Sequence, residues 1–243
     1  MVFLVALFVT GIIGGATAAV AGFGIGSLLT PLVAAKYGTP LAVAAVSIPH
    51  VTATALRCWR LRRQVDLKVL RTFGLLSAAG GLAGGLLFTR FSPRVLTGIL
   101  GALLLMTTIA ALTNWTARWR PGGAGSALLG LASGLFGGVV GNQGGLRAAA
   151  LLTFSLAPAV FVATSTATGL MVDAVRMPFY VARAGGMLLS VVTPIVVASV
   201  AVVIGTLLGE RALFGMSPGR FRQVIGVLIG LVGIWLLRMS IVG

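Results

Sequence analysis

Apolar residues run along this chain in long uncharged stretches, separated by short clusters of arginine and lysine. The uncharged runs cover 1–35, 37–56, 72–89, 95–117, 121–146, 148–172 and 184–209; a last one, 212–219 with 223–237, is split by Arg220 and Arg222. A helix of roughly 20 apolar residues crosses a bilayer core of ~30 Å. The pattern predicts an all-α integral membrane protein of about 8–10 transmembrane or half-membrane helices. With most of the chain in segments of that length, no room remains for a soluble catalytic domain.

Several of these runs are broken by glycine, and the breaks recur. The chain reads Gly22-Phe23-Gly24-Ile25-Gly26-Ser27, then Gly38-Thr39-Pro40, then Ala45-Val46-Ser47. It later reads Asn142-Gln143-Gly144-Gly145, then Leu156-Ala157-Pro158, then Ala163-Thr164-Ser165. Pro40 pairs with Pro158 and Ser47 with Ser165 at one offset, so no gap is needed between them. Two homologous halves follow, 1–115 and 124–243, joined by a linker at 116–123 that ends Pro121-Gly122-Gly123 within one membrane domain. Matched glycine-broken segments are the sequence mark of a transporter's binding site. The other glycines, such as Gly80-Gly81 with Gly84-Gly85, read as close helix packing.

Charge then orients the chain. The net charge of +15 comes from basic residues lying between apolar runs, without an aromatic-basic surface motif, which argues against a nucleic-acid partner. Such residues mark cytoplasmic loops. Arg57, Arg60, Arg62, Arg63, Lys68 and Arg71 face a single acid, Asp66, so 57–71 is read as cytoplasmic. Alternation then puts Arg90–Arg94 outside, the linker inside, Asp173–Gly186 outside, Glu210–Arg222 inside and the C-terminus outside. This scheme supposes that each glycine-broken pair dips in and returns on the same side, which makes the halves inverted repeats. If the first pair crosses fully, the halves are parallel. The N-terminus has no basic leader and runs into the first glycine cluster, so it is read as part of the first repeat. Cys58 is the single cysteine and His50 the single histidine, which leaves no internal disulfide and no metal constellation.

Candidate chemistry is confined to a few positions. Non-helical backbone at membrane depth is tolerated only inside protein or along a water-filled cavity, and amides at a helix start favour an anion. Gly24, Gly26 and Ser27, with Asn142, Gln143, Gly144 and Gly145, are therefore candidates to line a substrate site; the competing reading is kinks in packed helices. Arg147 follows the second cluster inside an apolar stretch, where the first half has Leu29. A mid-membrane charge marks a functional pathway. Its partner is an anionic substrate or Asp173, unless it lies shallow and snorkels. Ser47 and Ser165 either line a polar path or bond back to their own helix. Asp173 lies three residues before Arg176, on one helix face, as in a structural ion pair. His50 and Asp173 are also the groups available for proton coupling. Asp66, Asp173 and Glu210 are the only acids, and Asp66 and Glu210, beside Arg211, read as solvated. So few carboxylates disfavour a cation site.

These residues resemble the sulfite exporter TauE/SafE family, the toluene-sulfonate uptake permeases. The likeness rests on Gly22–Ser27 followed by Pro31, on Gly38-x-Pro40-x-x-x-Ala44-x-x-Ser47, and on the basic loop ending Gln64-Val65-Asp66. Gly80-x-x-x-Gly84 also fits, and Asn142 to Gly145 with Pro158 and Ser165 look like the second copy. Asn142-Gln143 and Arg147 depart from the family pattern and add polar groups at the site. The resemblance implies secondary transport of small, sulfur-containing anions of sulfite, sulfonate or sulfoacetate type across a bacterial inner membrane, by a multi-pass protein. It implies no enzymatic activity, cofactor or metal, and leaves homo-oligomerisation open. A passive anion channel, or a membrane subunit assisting another complex, would share most of these features.

Overall fold

The computed structural model describes residues 1–88, 90–113, 123–141, 144, 147, 151, 154, 156–212, 227, 230, 231 and 233–241. Among them the only regular structure is helical. The first helix, α1 (Val2–Ala21), ends where Gly22 adopts φ 77° and returns its N–H to Ala18 O. Phe23 and Gly24 follow without regular structure, and Gly24 at φ 139° takes a backbone that side-chain-bearing residues avoid. The chain backtracks here. A Cβ on Gly24 would lie 2.6 Å from Thr17 Cγ2, and Ile25 lies against Gly14. Helix α2 (Ile25–Tyr37) then runs antiparallel to α1, so that the Tyr37 ring meets Phe3 at 5.7 Å between centroids. Both helices therefore open and close at the same end of the bundle.

Helix α3 (Thr39–Leu61) leaves Gly38 with Pro40 in its first turn, where the missing N–H costs nothing. It is followed by one tight turn and by α4 (Leu67–Val69), which is capped by the Asp66 carboxylate accepting from the Val69 amide at 2.9 Å. A π-helical turn, Leu70–Gly74, joins α4 to α5 (Leu75–Phe88). Next come α6 (Pro93–Thr113) and α7 (Gly123–Val140). Gly141, at φ 76°, ends α7 as Gly22 ends α1. Helix α8 (Pro158–Ala184) leads through a turn at Gly185–Val191 to α9 (Val192–Ala212), and residues 233–241 are helical.

Three pairings organise the bundle. Helices α1 and α9 run parallel, with Gly11 against Ala198 and Ala201, Gly15 against Val202 and Thr206, and Ala16 against Gly209. Helices α5 and α7 also run parallel, with Ser77 against Gly134 and Gly84 against Gly138. Between these pairs, α3 and α8 run antiparallel, because His50 meets Asp173 while Arg57 meets Thr166. Seven residues along one helix correspond to seven residues back along the other. At the two outer pairings the facing glycines admit backbone against backbone, the route to tight association where lipid supplies no hydrophobic drive.

Polarity is arranged for lipid. Large exposed side chains include Val5, Leu82, Leu86, Val196, Val200 and Leu208, whereas the interior holds Thr17, Ser77, Arg57, Arg147, Asp173 and Arg176. Among the described residues four segments are long and apolar enough to cross a membrane: Val2–Val20, Thr39–Gln64, Leu67–Phe88 and Ala159–Arg211, the last comprising α8 and α9. Each end of the bundle is pinned by polar contacts. At one, Thr39 and Thr97 share a 2.5 Å hydrogen bond and Arg94 donates to the carbonyls of Ser240 and Ile241. At the other, Arg60 pairs with Glu210 at 2.7 Å and the Asp66 amide donates to Thr164 Oγ1 at 2.9 Å.

Three sequence expectations are corrected here. Arg57 is not in a solvated loop but on α3, 2% exposed. Asp173 and Arg176 are likewise inside α8 rather than in an external loop, since the helix continues to Ala184 and pairing lets it carry them. Glu210, read as solvated, is partly buried and pairs with Arg60 of α3 at 2.7 Å.

The backbone contact at Gly134 gives a direct test. A side chain there would drive into the Ser77 carbonyl, which belongs to a neighbouring helix and cannot rotate away. Gly134→Leu should lower stability in detergent by about 1–3 kcal/mol or more, read as thermal unfolding, because overpacking forces main-chain shifts. Gly186→Leu, with nothing within 4 Å of its Cβ, should stay within about 0.5 kcal/mol.

Candidate anion site at the helix breaks

The two glycine breaks meet in the interior. A Cβ on Gly26 would fall 3.0 Å from the Gly141 carbonyl oxygen, and Gly144 packs directly on Phe23. Gly24, Gly26 and Gly144 thus stand where main chain approaches main chain or a ring, and all three are buried. Ser27 is buried in the first turn of α2. Asn142, Gln143 and Gly145 lie outside the described residues.

Arg147 closes the meeting point. It is 2% exposed; its Nε donates to Ser165 Oγ at 3.0 Å and its Nη2 to the Gly22 carbonyl at 3.1 Å. Its Nη1 is buried without a hydrogen-bond partner and lies beside Gly169, where a Cβ would come within 2.9 Å. The absence of a side chain at Gly169 therefore leaves room for the guanidinium. Asp173 is not its hydrogen-bonding partner. Ser47, the match of Ser165 in the sequence, behaves differently: its hydroxyl donates to Ala44 O at 2.7 Å within its own helix.

A second polar layer runs along the α3–α8 seam. His50 Nδ1 sits 2.7 Å from Asp173 Oδ2, and Arg176 grips Oδ1 through Nε and Nη2 at 2.9 and 2.6 Å. Arg176 Nη1 reaches the Gly137 carbonyl, which also accepts from Tyr180 OH at 2.9 Å. Tyr180 additionally donates to the Gly138 carbonyl at 2.5 Å. These carbonyls belong to the last turn of α7, where cations are favoured by the helix dipole; the Gly137 carbonyl also receives the Gly141 amide at 2.9 Å. Seven residues beyond His50, Arg57 donates through Nε to Thr166 Oγ1 at 2.8 Å.

Charge does not balance in this interior. Among the described residues three guanidiniums, of Arg57, Arg147 and Arg176, are at most 2% exposed, against one equally buried carboxylate, Asp173. Ion pairing satisfies Arg176 alone among the three. No group of three histidine, cysteine, aspartate or glutamate side chains gathers among the described residues to hold a metal. What the arrangement favours chemically is a small anion.

Sequence reasoning singled out Arg147, Ser165, His50 and Asp173, but missed Arg57 and Tyr180. One signal was available: Arg57 lies two helical turns past His50, hence on the same face. No local pattern reveals that Tyr180 reaches the end of α7.

Asp173 can be tested by removing its charge. Asp173→Asn strands Arg176 as an uncompensated buried cation and should destabilise the protein by about 3–5 kcal/mol in denaturant titration. Asp173→Asn with Arg176→Gln should recover a large part of that loss, because contacting groups are not additive.

A family model described as "Sulfite exporter TauE/SafE" matches residues 7–236. Among curated proteins and solved structures, none matches the chain. The match takes in both glycine breaks, Arg147 and the whole α3–α8 seam. The chain belongs to the TauE/SafE sulfite exporter family, whose members are membrane transporters and not enzymes.

Proposed function

We propose that this protein is a secondary transporter of small sulfur-containing anions, of sulfite, sulfonate or sulfoacetate type, working by alternating access. The observation that carries the reading is the unpartnered Nη1 of buried Arg147, in an interior that among the described residues holds two more guanidiniums than carboxylates. Ser165 and the Gly22 carbonyl fix the guanidinium from behind, which leaves Nη1 to the anion. Gly24, Gly26, Ser27 and Gly144 shape the seam beside it, with Asn142, Gln143, Gly145 and Ser47 assigned to the same site from the sequence.

The moving parts are two inverted halves, 1–115 and 124–243. An axis in the membrane plane reverses helix direction between equivalent elements. The antiparallel course of α3 and α8 is what such an axis requires, and the parallel pairs α1–α9 and α5–α7 exchange places under it. Three polar bridges at the seam join one half to the other: Gly22 with Arg147, His50 with Asp173, Arg57 with Thr166. Rocking the halves remakes these bridges around the anion. His50, whose ring nitrogen faces Asp173, is the proton-exchanging group of the cycle. The basic end, 57–71, faces the cytoplasm of a bacterial cell.

Purified protein in liposomes tests this with sulfite and sulfoacetate. Wild type should accumulate anion against its gradient, which a passive channel or a helper subunit alone cannot do. Arg147→Ala should weaken binding roughly 10- to 100-fold, the loss of about 1.5–3 kcal/mol expected for a hydrogen bond to a charged group. Unchanged affinity removes Arg147 from the site. His50→Gln should abolish the response of flux to an imposed pH gradient; a retained response takes the proton step away from it.

A further inference from the structure

Arg57 has the same unfinished coordination as Arg147. It is 2% exposed, its Nε is spent on Thr166, and its Nη1 is buried without a partner. One turn back on the same face of α3, Thr54 is 1% exposed and its hydroxyl is also buried without a partner. Glu210 is the acid that acts electrostatically on Arg57, and that carboxylate is already paired with Arg60.

The register of α3 against α8 links this group to Arg147. Thr54 lies four residues past His50, and Gly169 four residues before Asp173, so the two are level across the seam. Arg147 Nη1 lies beside Gly169. The three residues with unpartnered donors therefore cluster: Arg147 Nη1 and Thr54 lie level across the seam, and the Arg57 backbone lies about 4.5 Å further along α3. The guanidiniums are distinct stations, because they hold consecutive residues of α8, Ser165 and Thr166, which project about 100° apart. Beyond Arg57 the path meets the contacts that pin this end, Arg60 with Glu210 and Asp66 with Thr164.

We propose that Arg57, Thr54 and Thr166 form a second binding station for the same small oxyanion, beside the Arg147 site on the α3 side of the seam. It deepens the transport reading and rests on it. An anion leaving Arg147 passes the Thr54 hydroxyl to a second guanidinium, which avoids a desolvated jump to the surface. The alternative role, a structural arginine, differs in a measurable way. A buried cation without a counter-ion opposes folding, whereas a structural cation supports it.

Calorimetric titration of the full chain in nanodiscs with sulfite tests the proposal. Wild type should bind two sulfite ions per chain, Arg57→Met one at the tighter affinity, and Arg147→Ala only the weaker one. Thr54→Val and Thr166→Val, near-isosteric, should weaken the second site at least threefold and leave the first unchanged. Arg57→Met should also melt no lower than wild type. One ion in wild type, two in Arg57→Met, an unaltered second site in both valine variants, or a lower melting temperature in Arg57→Met each overturns the second station. Wild type that binds sulfite once, at Arg147, leaves the transport reading standing; wild type that binds none overturns both.

Discussion

A bilayer offers no hydrogen-bond partner to a broken helix, and this constraint shapes the rest of the molecule. Wherever α1 and α7 stop, leftover main-chain groups must be satisfied by protein. The Gly22 carbonyl is satisfied by Arg147, and the Gly137 carbonyl by Arg176 and Tyr180. Cations suit both positions, because helix C-termini carry partial negative charge. So the arginines are not charges added to a finished scaffold. They complete the scaffold, and whichever guanidinium hydrogens are left over define where an anion is welcome.

Close packing makes that arrangement possible. Each arginine needs a rigid frame, and the frame comes from helix pairs whose glycines bring main chain onto main chain. Ser77 illustrates the economy of the interface: its carbonyl touches Gly134 while its hydroxyl donates to the Gly130 carbonyl at 2.9 Å. The antiparallel α3–α8 pair is built otherwise, with side chains crossing the gap at His50–Asp173 and Arg57–Thr166. Packed helices between rigid pairs, joined by polar bridges that can be remade, suit a protein that must change shape without exposing main chain to lipid.

The sequence disclosed the membrane class, the paired glycine breaks and the buried Arg147, because each leaves a mark in a local window: a run without charge, a glycine cluster, a charge out of place. It also suggested that the Gly22–Ser27 segment returns on itself, which the Phe3–Tyr37 contact now describes. It placed Arg57, Asp173 and Arg176 in loops, although the three-residue spacing did give the Asp173–Arg176 ion pair. Charge counts assign a residue to a loop when apolar stretches end nearby, and they are blind to a partner on another helix. Thr166 lies 109 residues from Arg57, and Gly137 lies 39 from Arg176. Ser47 shows the opposite failure: repetition in sequence suggested equal roles, yet only Ser165 has an arginine to receive.

The excess of buried positive charge also bears on how such a carrier would be driven. A ligand can shift a conformational equilibrium only through its differential affinity for the two states. When the halves close over Arg147 and Arg57 with no anion, both guanidiniums lose water and gain little, a cost of several kcal/mol per ion. When an anion enters, the same closure is repaid by charge-assisted hydrogen bonds in a low-dielectric interior. In the proposed cycle occlusion is thus conditional on negative charge. Asp173 cannot substitute for substrate in this role, since Arg176 and His50 already occupy its oxygens. In the proposed cycle, that prior commitment of the one buried carboxylate keeps the site dependent on the anion it carries.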